Sequence, residues 1–107
     1  MDARTERIGR NEDLFRKVND QIEGVNEAFG TITGTMSLLC ECGKLQCIEQ
    51  IELTVDAYRE LRADPTRFAV KPGHELPDVE RVVERHERYF VVQKAEGDAA
   101  KLAQDLA

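Results

Sequence analysis

Over the first 29 residues apolar side chains return with a helical period. Ile8, Phe15, Ile22 and Phe29 stand seven apart, Asn11, Val18 and Val25 fill the alternating four-then-three positions, and Leu14 widens the stripe. The positions between them are mostly charged, among them Glu12, Asp13, Arg16, Lys17, Asp20 and Glu23. This pattern predicts a long amphipathic helix from about Thr5 to Glu27, its charged side toward water. Gly24 weakens the last turn and Gly30 supplies a stop. The stripe serves one of two ends: it lies across the domain's own sheet, or it pairs with another helix, most simply that of a second copy. Three heptads are the minimum for a coiled coil, and an Asn in the seam helps fix register.

From Thr31 the period changes to two. Ile32, Met36, Leu38 and Cys40 share one face, Thr33, Thr35, Ser37 and Leu39 the other, and Gly34 confines the strand proper to about Thr35–Cys40. A second strand is expected over about Ile48–Leu53, with Ile51 and Leu53 on one face. Thr54 is a good N-cap for a helix from Val55 to about Arg62, with Asp56 in its first turn and Val55, Tyr58 and Leu61 inward. Asp64-Pro65 ends it, because proline disfavours helical geometry in the preceding residue. Arg67 to Lys71 reads as a short strand with Phe68 and Val70 inward, and Lys71-Pro72-Gly73-His74 has the chemistry of a type II turn. Residues 77–93 fit either a helix opened by Pro77 or a hairpin. Their β-branched and aromatic pairs favour the hairpin, about Glu80–Glu84 and Arg88–Gln93. Gly97-Asp98 then starts a terminal helix burying Ala99, Leu102, Ala103 and Leu106.

Composition narrows the class. With 41% hydrophobic and 34% charged residues the 107-residue chain is globular. Six aromatic residues and no tryptophan leave a modest aliphatic core, for which a metal clip is useful. A net charge of −6 disfavours general attraction to nucleic acid or anionic membrane. No run approaches the length of a membrane span and no apolar leader follows Met1, so a cytoplasmic, reducing setting is expected.

In that setting the three cysteines, all within Cys40–Cys47, read as metal ligands rather than disulfide partners. Structural zinc takes four thiolate or imidazole donors in a tetrahedron. Cys40-x-Cys42 and Cys47 supply three, Gly43 lets the chain curl between them, and Glu41 points away from the metal. His74, at the end of a Pro-Gly turn, is the best fourth ligand. His86, among charges in Arg85-His86-Glu87-Arg88, is the competitor and reads better as a solvated turn residue. A nucleophilic cysteine would need a positioned histidine and an oxyanion hole; His74 could be that histidine, yet nothing marks a substrate pocket. The zinc-deaminase pattern and phosphate-cradling glycine loops are absent. The basic residues of the first helix and Arg81, Arg85 and Arg88 read as solvated faces, with almost no aromatics between them for base stacking.

Cys40-Glu41-Cys42, Cys47, Ile51-x-Leu53-Thr54, Tyr58, Arg62-Ala63, Pro65-x-Arg67-Phe68, Pro72-Gly73-His74-Glu75 and Tyr89-x-Val91-Val92 together resemble a group of small uncharacterised bacterial proteins, mainly from actinobacteria. The resemblance spans roughly residues 8–94. It implies that Cys40, Cys42, Cys47 and His74 belong together, and it implies no activity.

The expected fold is therefore α+β: a long N-terminal helix, a small antiparallel sheet with a Cys3His zinc loop, and short helices. Residues 1–30 form the helix, for packing or dimerisation, and 31–107 the zinc-stapled body. The expected function is a non-enzymatic, zinc-stabilised interaction or regulatory module, with a protein partner or a second copy engaged through residues 8–29. The alternatives are a small thiol, redox or Cys-His enzyme and a nucleic-acid-binding regulator.

Overall fold

The computed structural model describes residues 1–28 and 34–107, with side chains from 26 to 33 left out. The expected stop at Gly30, the heptad residue Phe29 and the strand residue Ile32 lie outside the described residues. In chain order the elements are α1 (Ala3–Ala28), β1 (Thr35–Leu39), β2 (Gln50–Thr54), α2 (Val55–Arg62), β3 (Arg67–Val70), β4 (Glu80–Arg85), β5 (Phe90–Lys94) and α3 (Asp98–Leu106). The class is α+β. Local chemistry sets several boundaries as expected. Thr54 Oγ1 accepts from Ala57 N at 3.0 Å to cap α2. The 77–93 segment is the hairpin β4–β5, closed by His86 N donating to Tyr89 O at 2.9 Å.

The strands form two antiparallel sheets, not one: a pair β1–β2 and a triplet ordered β3-β5-β4. The reason is a change of partner at the cysteine loop. Cys40 N still donates to Glu49 O at 3.0 Å, continuing the β1–β2 register, whereas the next amide, Glu41 N, donates to Ala69 O of β3 at 2.8 Å. The segment after β1 thus bridges the sheets. Two boundaries also move. Ile48 lies in the loop at 85% exposure instead of opening β2. In the hairpin, the pairing jumps from Val82 to Glu84, which leaves Val83 as a bulge.

Strands β3 and β5 of the triplet feed two cores. Ala69 and Val91 pack with Met36, Leu38, Ile51, Leu53, Tyr58 and Leu61. Phe68, Val70 and Val92 face the other way, with Cys40, Cys42 and Ala103. Strand β3 is therefore buried at Phe68, Ala69 and Val70 alike, where alternation predicts inward positions only at Phe68 and Val70.

Helix α1 packs against α3 and β1, and here the charged-side-out expectation fails. Ile8 and Phe15 are buried, but so are Glu12, Asp13, Arg16 and Asn19, whereas Leu14 and Val25 are about half exposed. A helix with this few apolar side chains covers the body by turning paired polar groups inward. Arg16 donates to Asp13 at 2.8 Å, to Pro65 O at 2.8 Å and to Ala103 O at 3.1 Å. Lys94 Nζ stands 2.7 Å from Glu12 and 3.0 Å from Glu80, all three side chains at most 2% exposed.

One cation between two buried carboxylates leaves a surplus negative charge. Burial, reinforced by the charge of Glu80 and opposed by Lys94, pushes the Glu12 carboxyl up to about 8 from its ordinary 4.5. The folded chain then keeps a proton that the unfolded chain releases, so stability falls as pH rises between those two values. Glu12→Gln should remove this loss. Denaturant midpoints of the two proteins should converge at about pH 4.5–5, with the variant ahead by a growing margin up to about pH 8. Parallel curves across that range would place the proton elsewhere.

Candidate metal centre

An extended backbone sends successive side chains to opposite sides. Between Cys40 and Cys42 this puts both thiols on one side and Glu41 on the other. Past Cys42 the chain reverses through a turn closed by Cys47 N donating to Lys44 O at 3.1 Å, which returns Cys47 to the first two thiols. Helix α1 clamps this knuckle. Asn11 Nδ2 donates to Gly43 O at 3.1 Å, and Ile8 packs so closely over Gly43 that a Cβ there would sit 2.5 Å from Ile8 Cγ2. The seam asparagine of the heptad thus serves the metal loop.

The fourth member arrives from β3. Beyond Val70 the chain turns at Lys71–His74, with His74 N donating to Lys71 O at 2.9 Å and Gly73 at φ +92, the left-handed third position of a type II turn. His74 Nδ1 comes to 3.5 Å from Cys40 Sγ and 3.6 Å from Cys47 Sγ. The donor atoms of Cys40, Cys42, Cys47 and His74 all lie within 4.8 Å of one another, and the cysteines are free. A tetrahedron with Zn–S near 2.3 Å and Zn–N near 2.05 Å has S···N edges of about 3.5 Å, which is the spacing found. These four residues are close enough to hold a metal ion. Lys71 N also donates to Cys40 Sγ at 3.2 Å, the kind of outer contact that orients a thiolate ligand.

The thiols polarise one another. The hydrogen bond from Cys40, helped by the Lys44 amide and His74, draws Cys42 well below the ordinary thiol range. The same shared proton, together with burial, pushes Cys40 up, and burial pushes Cys47 up. Three thiolates side by side require a cation among them, and a divalent ion supplies that.

His86 stands apart at the end of the β4–β5 hairpin. Its Nε2 is 2.8 Å from Glu84 Oε1, and its ring stacks on Tyr89 at 4.4 Å between centroids. It is not among the four clustered donors, as its charged neighbours suggest.

Glu41 does point away from the cluster, into a setting that the sequence reading missed. It has 0% exposure. Oε1 accepts from Arg62 Nη2 at 2.7 Å and from Ala69 N at 3.0 Å, and Oε2 accepts from Asn19 Nδ2 at 2.8 Å. Asn19 in turn exchanges two hydrogen bonds of 2.9 Å with the backbone of Leu39, as a neighbouring strand would. One carboxylate therefore joins α1, α2 and β3 behind the metal ligands. The available signal was the spacing itself: a charged residue between two inward cysteines faces the rest of the domain and needs a cation, here Arg62.

Truncating one member of a buried, hydrogen-bonded ion pair costs about 3–5 kcal/mol. Glu41→Ala should lower unfolding free energy by that order in chemical denaturation of the metal-loaded protein. Glu49→Ala, which breaks an exposed 2.8 Å pair with Lys71, should change it by under about 1 kcal/mol. No family model matches this chain, and neither curated proteins nor solved structures provide a match.

Proposed function

We propose that the chain is a zinc-stapled interaction module whose metal is structural and whose task is binding rather than catalysis. The observation that carries this reading is the closed donor set. Three sulfurs and one imidazole nitrogen lie within 4.8 Å of one another, with two S···N separations at the tetrahedral edge length, and four such ligands would leave no position for a substrate or a reactive water. Cys40 and Cys42 are each 1% exposed, so an attacking thiolate would be poorly placed. Four clefts on the described surface are lined by other residues. Among metals, thiolate-rich tetrahedral sites favour zinc, and free thiols in such a cluster suit a reducing compartment such as the cytoplasm. No helix among the described residues is long and apolar enough to cross a membrane.

Zinc at such a site contributes about 10–16 kcal/mol in small peptides, against a typical domain stability of about 5–15 kcal/mol. Elemental analysis of purified protein should find one zinc per chain, with three thiols protected until a chelator is added. Chelation should then unfold the chain, read by circular dichroism, and His74→Ala should weaken zinc retention about tenfold or more, while His86→Ala leaves it unchanged. Metal-free protein that is fully folded and carries one acidic, reactive thiol would overturn this reading in favour of a redox role.

A further inference from the structure

We propose that the groove between the first turns of α1 and the Lys44–Cys47 turn docks an acidic peptide segment of a partner protein, one with an aliphatic or aromatic side chain beside its carboxylates. The proposal rests on the reading above, because the metal is what holds that turn in shape.

The groove has a volume of about 380 Å3. Its charged wall is Arg4, Arg7 and Lys44, and no carboxylate lines it. The chain carries 21 acidic and 15 basic residues, so a cleft with cations alone runs against its composition. Three other clefts on the described surface each hold two carboxylates: Glu60 and Glu84, Asp13 and Asp20, and Glu52 and Glu87. Arg4 is paired with Asp78. Arg7 and Lys44 are exposed and form no ion pair among the described residues.

The floor and rim are apolar. Ile8 is buried beneath the groove, Leu76 is half-buried, and Leu45 stands 57% exposed at a central position of the turn. Ile48, on the far side of Cys47, is 85% exposed. Leu45 keeps apolar surface in water at the groove's rim, and a partner side chain would remove it. The backbone here is fixed by the Cys47–Lys44 turn bond and by Asn11 on Gly43 O, so little ordering is left to be lost on binding.

A polyanion is the weaker fit. The groove has no aromatic face for a base, and a chain with net charge −6 repels a phosphate backbone beyond the three cations. A short peptide with a few carboxylates meets the cations without that penalty.

The test is selection from a displayed random 12-residue peptide library on the zinc-loaded full chain. The expected outcome is enrichment of peptides with Asp or Glu next to Leu, Ile or Phe, with affinity falling as salt rises. Arg7→Glu with Lys44→Glu, and separately Leu45→Ser, should each weaken the selected peptides on the order of tenfold or more. Arg81→Glu, an exposed cation outside the groove, should leave them unchanged. These positions are exposed, and zinc content and unfolding midpoint of each variant are read in parallel. Failure to enrich any peptide, enrichment without carboxylates, equal binding to the groove variants, or displacement by a single-stranded oligonucleotide at lower concentration would each overturn the proposal. Folded, zinc-loaded protein giving such a result sinks the docking surface alone, whereas protein that purifies folded without zinc sinks the reading beneath it.

Discussion

A carboxylate with no access to water must find its counter-charge inside the domain, and Glu41 sets the geometry of this one. It lies between two cysteines in an extended segment, so whatever satisfies it also fixes where their thiols point. Arg62, Asn19 and the Ala69 amide converge on it from α2, α1 and β3. Removing any one partner leaves a buried group unpaired, which costs more than the bond itself contributes. The thiols of Cys40 and Cys42 and this ionic cluster are thus two sides of one extended segment, and neither can shift without the other.

The same logic explains how a chain with few aromatics builds a defined fold. Its apolar residues are divided between two cores on the faces of β3 and β5. What they leave uncovered is closed by α1, largely through paired polar groups: Arg16 on backbone carbonyls, Asn19 on Leu39, Glu12 on Lys94. Buried pairs of this kind add little net stability against hydrophobic replacements, yet they fix a single register, since a slide of α1 by one turn would strand every one of them.

This division also explains what could be read from the chain beforehand. Elements governed by local chemistry were legible: the Thr54 cap, the Lys71–His74 turn, the β-branched hairpin, the long first helix. The gathering of Cys40, Cys42, Cys47 and His74 was legible too, because three cysteines in one loop and a histidine on a Pro-Gly turn are a pattern of residue types. The rotation of α1 was not, since a rule that sends Glu12, Asp13 and Arg16 to water cannot see Lys94 or the carbonyls of Pro65 and Ala103. The split into two sheets was hidden as well. It turns on one amide, Glu41 N, choosing Ala69 over β2, and no periodicity records that choice.

The separation of the ligands along the chain has a consequence for assembly. Cys40, Cys42 and Cys47 sit on one short loop, whereas His74 closes a span of 27 residues from Cys47 that contains β2, α2 and β3. A cation held by all four would tie that span together only in the folded chain, so its binding free energy would add directly to the free energy of folding. The three thiolates can gather an ion while the rest is still unfolded. The imidazole stands beside them where β3 and the Pro72-Gly73 turn bring His74 to Cys40 and Cys47. Coordination by all four would therefore depend on the fold of that span, whereas coordination by the three sulfurs alone would not.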